Sequence, residues 1–298
     1  MPLKQTLQSA IEKLTAQGVP SPRLNAELLL MFVLACDRAY LYAHPERELT
    51  PEEESRYNEA LALRAKGIPA QYITGHQEFW GLDLIVSPAV LIPRPETEHL
   101  IETVLPLARP LPHPRISDVG TGSGAIALAL AKELPDAEIH ATDNSPAALE
   151  IAEANAARLQ LEFRAGNPPE RRMFFHDTDL LTGLPAEFFD LVVSNPPYVG
   201  QFEEDQVQLE VRKFEPRSAV FAGPTGLEII EKLIPAARAA LKPGGYLVLE
   251  ISGTIAAGVR KLLEDAAESR VASGWQEVEI IPDLQGIPRV ASARKPLV

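Results

Sequence analysis

The sequence is nearly without cysteine: Cys36 stands alone among 298 residues. One thiol cannot close an intramolecular disulfide, and cysteine-rich zinc sites need several. Long apolar runs are missing as well, and none reaches the roughly 18 residues that a membrane-spanning helix requires. The opening stretch MPLKQTLQSAIEKLTAQG works charges into a helical apolar pattern and has no secretory h-region. Basic charge is in deficit: 28 Lys and Arg face 41 Asp and Glu, a formal net charge of −13. Phosphate contacts dominate nucleic-acid affinity, so nucleic-acid binders usually carry a basic face. DNA or RNA is therefore disfavoured as a direct partner. The six histidines (His44, His76, His99, His113, His140, His176) show no metal-ligand spacing. Internal repeats and low-complexity tracts are absent. These absences lead us to expect a cytoplasmic protein with no membrane, metal or nucleic acid attached to it. What remains is ordinary globular composition, 46% hydrophobic and 23% charged, enough for one large domain or two smaller ones.

Residues 1–75 read as all-helical. SPRLNAELLLMFVLACD has a Ser-Pro start and an apolar face of Leu24, Leu28, Met31 and Leu34. In TPEEESRYNEALALRAKG, Thr50 is an N-cap, Pro51 takes the first helical position, Glu53 completes a capping box and Gly67 ends the helix. No catalytic constellation appears there, so a docking role is expected. Residues 76–95 alternate around Gly81 and read as a hairpin and linker. The third region is 96–298, beginning with the helix ETEHLIETVLPLA. From Arg115 strands and helices alternate: strands RISDVG, EIHATD, RMFFHDTDL, FDLVVSN and YLVLEIS, helices GAIALALAKEL, SPAALEIAEANAARL, GLEIIEKLIPAARAALKPG and TIAAGVRKLLEDAAES, then WQEVEII and RVASARK as a closing pair. Such alternation predicts an α/β fold with a mostly parallel sheet covered on both faces. Ligands of such sheets sit outside the carboxyl ends of the strands.

Four features fall at those ends. In DVGTGSGA, Gly120, Gly122 and Gly124 let the backbone turn sharply and come close to a ligand, with Thr121 and Ser123 between them. The loop fits a dinucleotide pattern only if Ala125 is taken as its last member, so a nicotinamide cofactor stays open from this motif alone. A phosphate-binding P-loop is excluded because no Gly-Lys-Ser/Thr follows. A nucleophile elbow is excluded because Thr121 stands two residues before Ser123, where glycine is required. Asp143 ends the next strand, where a carboxylate can accept both hydroxyls of a ribose; Ser145 is better placed than Asp143 to cap the following helix. Asp179, with Asp177 as a competitor, could accept from the exocyclic amine of adenine.

The fourth feature is Asn195-Pro196-Pro197-Tyr198 after a buried-type strand. Two prolines cannot continue a central strand. Asn195 offers a side-chain acceptor, Pro196 a carbonyl without an N–H, and Tyr198 a ring face. Two acceptors and an aromatic form a cage for a planar –NH₂ group.

With these motifs in this order, the chain resembles a class I S-adenosylmethionine-dependent N-methyltransferase. PAQYITGHQEFWG, LIPRPETE and LQGIPRVASARK narrow the resemblance to the HemK/PrmC family of release-factor glutamine methyltransferases, over nearly the whole chain. The resemblance implies a Rossmann-like, seven-stranded, mostly parallel sheet behind a small N-terminal helical domain. It implies S-adenosylmethionine as cofactor, leaving as S-adenosylhomocysteine. Gly120, Thr121, Gly122, Ser123 and Gly124 would wrap its methionine part, Asp143 its ribose, and Asp179 and Leu180 its adenine, with Asn195 also at the cofactor; Leu180 stands where a bulkier aromatic is common in the family. Asp118 would reach the cofactor's amino group and Pro93 to Glu96 line the mouth. Asn195, Pro196, Pro197 and Tyr198 would bind the substrate glutamine, with Asn195, Pro196 and Tyr198 catalytic. The implied substrate is the glutamine of the Gly-Gly-Gln loop of bacterial class 1 release factors, methylated at N5 by a monomer. A ribosomal-protein glutamine and, behind it, a DNA amino group are the alternatives.

Overall fold

The computed structural model of the chain describes residues 1–164, 170–265 and 274–297. It divides into two compact units: Met1–His76 together with Leu209–Phe214, and Gln77–Gln208 together with Glu215–Val298.

The first unit contains α1 (Leu3–Ala16), α2 (Pro22–Leu34), α3 (Arg38–Ala43), α4 (Pro51–Ala65) and α5 (Ala70–Thr74). Leu3 and Leu14 of α1, Leu29 and Leu30 of α2, and Tyr57 and Leu61 of α4 share one core. Tyr57 brings a hydroxyl into that core, and it donates to the Ala26 carbonyl at 2.9 Å. The α4 capping box forms as the sequence predicts: the Thr50 hydroxyl accepts from the Glu53 N–H at 3.2 Å, and the Glu53 carboxylate accepts from the Thr50 N–H at 2.8 Å. Arg64 is buried at the end of α4 and donates to Asn25 Oδ1, the Ile68 carbonyl and Glu210. Glu210 comes from the distant segment that joins this unit.

The second unit opens with the hairpin β1 (His76–Phe79) and β2 (Leu82–Ile85). Trp80 and Gly81 both have positive φ, the mirror-image turn that matches strand twist. A 3₁₀ turn, Pro95–Thr97, leads into α6 (Glu98–Ala108). Then come β3 (Arg115–Val119), α7 (Ala125–Glu133), β4 (Glu138–Asp143), α8 (Pro146–Arg158), the two-residue strands β5 (Phe163–Arg164) and β6 (Glu170–Arg171), β7 (Met173–Asp177) and β8 (Phe189–Ser194). After β9 (Val199–Gly200), α9 (Leu209–Phe214), α10 (Arg217–Val220) and β10 (Phe221–Gly223), the chain ends in α11 (Glu228–Ala240), β11 (Leu241–Glu250), α12 (Ala256–Asp265), β12 (Gln276–Pro282) and β13 (Pro288–Arg294).

Seven strands form one sheet in the order β12-β13-β11-β8-β3-β4-β7. β13 is antiparallel to both of its neighbours, and the other pairs are parallel. The chain runs outward from β3 through β4 to β7, then crosses back to β8 on the other side of β3. This is the switch point of the sheet, and it lies between β3 and β8. Each face has its own core. Leu100 and Ile101 of α6 and Leu128 and Leu130 of α7 cover one face, while Ile230 and Leu233 of α11 and Val259 and Leu263 of α12 cover the other. Every residue from Ala125 to Ala131 is buried, so α7 is a central helix with no solvent stripe. Truncating one of its leucines to alanine would cost about 2–5 kcal/mol.

Three expectations need correction. The helix expected over 226–244 is α11 alone, and β11 starts at Leu241. Pro243 and Gly244 belong to a register irregularity in that strand; Gly244, at φ +80°, bends the strand where it was expected to end the helix. The strand expected over 172–180 stops at Asp177, because Leu180 turns back with φ +53°. Residues 201–223 hold short helices and a strand where no element was expected. In the helix expected over 254–269, residues 266–269 lie outside the described residues.

Candidate active site

A cleft of about 210 Å³ opens at the carboxyl ends of β3, β4, β7 and β8. Its wall contains Gly120, Thr121, Gly122 and Ser123 from the β3–α7 junction and Asp143 from β4. Asp179 and Leu180 follow from the turn after β7, and Asn195, Pro196 and Pro197 come from beyond β8. The loop from Ala89 to Thr97 closes one side and includes Pro93 and Arg94. Residues scattered over more than a hundred positions meet because parallel strands all point their carboxyl ends the same way.

The glycine loop is shaped by backbone rather than side chains. Gly120, Gly122 and Gly124 have φ of +71°, +55° and +82°, values that L side chains rarely adopt. A Cβ on Gly120 or Gly122 would meet nothing within 4 Å, whereas one on Gly124 would press on Leu128 and Ala152 at 3.1 and 3.2 Å. The first two glycines thus leave room for a ligand, and the third lets α7 pack on α8.

Two carboxylates hold the loop. Asp118 is fully buried beneath it, outside the cleft wall. Its Oδ2 accepts from the Thr121 hydroxyl at 2.6 Å and the Ala127 N–H at 3.1 Å, and its Oδ1 has no partner. Burial pushes its pKa up to about 7 against the pull of those donors. Asp143 Oδ2 accepts from the Gly122 N–H at 2.9 Å and its Oδ1 from the Ser145 N–H at 3.0 Å. Burial raises its pKa too, and these N–H groups oppose the rise. Ser145 itself caps α8 by accepting from the Ala148 N–H. Of the two competing aspartates beyond β7, Asp179 borders the cleft and Asp177 does not.

On the other side, Asn195 Nδ2 donates to the Thr97 hydroxyl at 3.2 Å. Ser194, just before it, ties β8 to β3 by donating to the Val119 carbonyl at 2.7 Å. Tyr198 is not part of the cleft wall. Its ring packs on the core beneath α11 and α12, and its hydroxyl donates to Glu250 Oε1 at 3.1 Å. Tyr198 therefore anchors the loop, and the ring face expected from the sequence is turned away from the cleft. Burial, then the neighbouring Glu250 charge, raises the phenol's pKa well above its ordinary value. The mouth loop is held by Glu215, whose buried carboxylate accepts from the Ile92 N–H at 3.0 Å and pairs with Arg94.

Several supporting residues were not found by sequence reasoning. Asn155 is wholly buried on α8, donates to the Ile85 and Ser123 carbonyls and accepts from the Ile85 N–H. It ties the hairpin to the glycine loop. Thr97, Glu215 and Glu250 are the others. A buried asparagine in the alanine-rich pattern of α8 was the one available signal.

Among the described residues no group of three or more His, Cys, Asp or Glu could hold a metal ion. No helix among them is long and apolar enough to cross a membrane.

Comparison with known proteins agrees with this geometry. Residues 5–75 match the model of the PrmC N-terminal domain, and residues 97–213 match the methyltransferase small domain. A release factor glutamine methyltransferase from Koribacter versatilis is 54% identical over 99% of both chains. One from Moorella thermoacetica is 42% identical over 97% of both. Among solved structures, the catalytic domain of hMettl16 in complex with an RNA hairpin has a TM-score of 0.55 at 17% identity, covering 83% of this chain and 82% of that one. The Thermus thermophilus 16S rRNA methyltransferase RsmC, in complex with AdoMet and guanosine, has a TM-score of 0.51 at 18% identity, covering 74% of this chain and 49% of that one. These structural likenesses identify the fold as that of the class I methyltransferases. Identity at this level over the full length assigns the sequence itself: the chain belongs to the release factor glutamine methyltransferase family.

Proposed function

We propose that the protein transfers a methyl group from S-adenosylmethionine to the side-chain N5 of the glutamine in the Gly-Gly-Gln loop of a class 1 release factor. The observation that carries this reading is the pairing of two unlike walls in one cleft. One is a side-chain-free glycine cradle beside the half-buried carboxylate of Asp143. The other contains Asn195 and Pro196, whose side-chain and backbone carbonyls are the kind of acceptors that an –NH₂ group needs.

The cradle suits the cofactor. Gly120 and Gly122 leave space where side chains would stand, and Thr121 and Ser123 flank them. Asp143, its carboxylate steadied by two N–H groups, has remaining lone pairs for ribose hydroxyls. Asp179 and Leu180 border the adenine position. S-Adenosylmethionine bound there supplies an electrophilic methyl on its sulfonium and leaves as S-adenosylhomocysteine.

The chain's own residues solve the harder part, since an amide nitrogen is a poor nucleophile. Asn195 Oδ1 and the Pro196 carbonyl accept the two N–H bonds of the substrate amide. That fixes the nitrogen's orientation and favours positive charge developing on it as the N–C bond forms and the S–C bond breaks. Positioning of this kind contributes several kcal/mol, within the roughly 7–11 kcal/mol available from proximity. Neither acceptor can keep a proton. The methylated amide, strongly acidic at that moment, releases its proton to solvent. Pro196 and Pro197 keep the acceptors rigid, and Tyr198 fastens the loop to Glu250.

The helical unit is proposed to grip the release factor outside its glutamine loop, with the protein acting as a monomer in the cytoplasm. The deciding experiment incubates the protein with S-adenosylmethionine and unmethylated release factor and maps peptides by mass spectrometry. One added methyl on the Gly-Gly-Gln glutamine is expected. Cofactor binding without that methyl would overturn the substrate assignment and send the search to ribosomal protein, then DNA.

A further inference from the structure

The hairpin that closes the sheet turns at the same edge as the cleft. β13 runs antiparallel to β11, so the loop joining β12 to β13 lies beyond the carboxyl ends of the parallel strands. Val290 pairs with Glu250 of β11, and the neighbouring Leu249 pairs with Ser194 of β8. Val290 is thus level with Asn195 and two strand spacings, roughly 10 Å, to one side of it. The loop Asp283–Ile287 stands about 10 Å further out, at roughly 3.4 Å for each residue beyond Val290.

The tip presents a bare leucine. Leu284 is 99% exposed, and Ile287 beside it is 39% exposed. Its backbone is held firmly. Asp283 Oδ1 accepts from the Gln285 N–H at 2.9 Å and the Ile287 N–H at 3.0 Å, and Oδ2 accepts from Arg289 Nε at 3.0 Å. The Asp283 N–H donates to the Ile287 carbonyl at 2.8 Å, and the Gly286 N–H to the Asp283 carbonyl at 2.9 Å. A backbone fixed in advance loses little freedom when a partner covers it. The base of the tip rests on the loop after β11, where a Cβ on Gly253 would lie 3.6 Å from Ile287 and 3.7 Å from Pro288. That loop continues to Ile255, which lies against Gly226, and Gly226 lies against the Gly200 nitrogen. From Gly200 the chain enters a 3₁₀ segment, Gln201–Gln206. There the Phe202 ring leans on Gly200 and is 66% exposed. Glu203, Glu204 and Asp205 follow it, and no Lys or Arg falls within 201–206.

We propose that Leu284 and Phe202 form a docking edge for the protein substrate, seating on an apolar patch beside its glutamine that is rimmed by Lys or Arg; the inference rests on the reading of that substrate as a release factor. A glutamine carried by a folded protein enters the cleft only if the surface around it comes down over the carboxyl edge, where the hairpin tip stands proud. Leu284 and Phe202 meet that surface first. Each gains by leaving water, and the fixed loop keeps Leu284 from retreating. The carboxylates beside Phe202 repel phosphate and favour a basic rim, so the edge suits a protein rather than a nucleic acid.

The test uses the full chain with Leu284→Ser, Phe202→Ser and Asp283→Ala. Affinity for unmethylated release factor is measured by calorimetry with S-adenosylhomocysteine present, and kcat and KM are measured with S-adenosylmethionine. Leu284 packs on almost nothing, so its variant should melt with the wild type. Leu284→Ser is expected to weaken release-factor binding and raise KM by about tenfold, the size of a hot-spot contact, with kcat and affinity for S-adenosylhomocysteine unchanged. Phe202→Ser should act in the same direction. Asp283→Ala keeps the leucine but loosens its loop, and should weaken binding by a smaller factor. Rising salt should weaken wild-type binding, and salt-independent binding would overturn the basic rim. A wild-type dimer that Leu284→Ser disperses in sedimentation would give the edge to a second copy and overturn the inference. Methyl transfer and binding indifferent to Leu284 would overturn the docking edge alone. Binding that depends on Leu284 but leads to no methyl would overturn the function alone, and a wild type that does not bind the release factor would overturn both.

Discussion

Asn195 and Asp143 stand on opposite walls of one cleft, and removing either is expected to stop methyl transfer for a different reason. Asn195→Ala deletes the proposed substrate acceptor and leaves the glycine loop untouched, so S-adenosylmethionine affinity should stay near wild type. Asp143→Ala removes both the proposed ribose acceptor and the anchor of the Gly122 and Ser145 N–H groups. Its cofactor affinity should fall by on the order of tenfold or more, as befits a lost charge-assisted hydrogen bond. Calorimetry on the two variants separates the roles, and equal losses would contradict the assignment. Asp118 leads to a pH prediction. Its folded-state pKa is about 7 against 3.8 for an ordinary aspartate. Between those values the folded protein holds a proton that the unfolded chain has released, so this group's contribution to stability falls as pH rises through that window. Asp118→Asn cannot lose that proton. Its melting temperature relative to wild type should therefore improve from pH 5 to pH 8, by up to a few kcal/mol in stability terms. A difference that is flat with pH would mean that Asp118 does not titrate there. Gly120, Gly122, Asp143 and Asn195 were legible in the sequence because each motif is local and sits at a strand end. Asn155, Thr97 and Glu250 were not, because their partners lie 32 to 98 positions away.

At the level of elements, hydrophobic patterning exposed the parallel strands and central helices, because burial on both faces leaves continuous apolar runs. It failed where glycine or proline can serve two structures. KPG after α11 looks like a helix stop, yet it sits inside β11 as a bulge. The stretch from Gln201 to Gly223 has few apolar residues in any period, so its short helices left no signal. Gly226, three residues beyond this stretch and at the head of the helix the sequence does show, carries a specific burden. It has φ +87°, and a Cβ there would stand 2.5 Å from the Tyr198 carbonyl oxygen and 3.2 Å from the Gly200 nitrogen. Both atoms are backbone, and neither can swing aside. Gly226→Ala should cost about 1–3 kcal/mol from strain and overpacking, and it should push the Asn195–Tyr198 turn out of position. The expected result is a lower melting temperature together with a loss of kcat larger than that of cofactor affinity. Full activity in a folded Gly226→Ala protein would show that the turn has slack.

At the level of the whole molecule, the chain does not keep its two units in separate stretches. The sequence suggests a helical region followed by one catalytic region, and composition shifts can reveal only such serial boundaries. The structure adds that Leu209–Phe214, far into the catalytic stretch, belongs with the N-terminal helices. Glu210 reaches the buried Arg64, and the Phe214 ring lies against Gly67, where a Cβ would touch it at 3.4 Å. This dependence changes how truncation should be read. A chain reduced to residues 77–298 loses the partners of Glu210 and Phe214, along with whatever grip the helices have on the release factor. With Arg64 and the Gly67 turn gone, Glu210 and Phe214 lose the surface they pack on, and the orphaned segment should open. Limited proteolysis is expected to cut the truncated chain first between residues 201 and 217 and to spare that region in the full protein. Arg64→Met in the full chain should reproduce part of the sensitivity without removing the proposed docking surface. If the truncated chain were as well protected as the full one, Leu209–Phe214 would hold its shape unaided. Any rise in KM for the release factor would then report on docking alone.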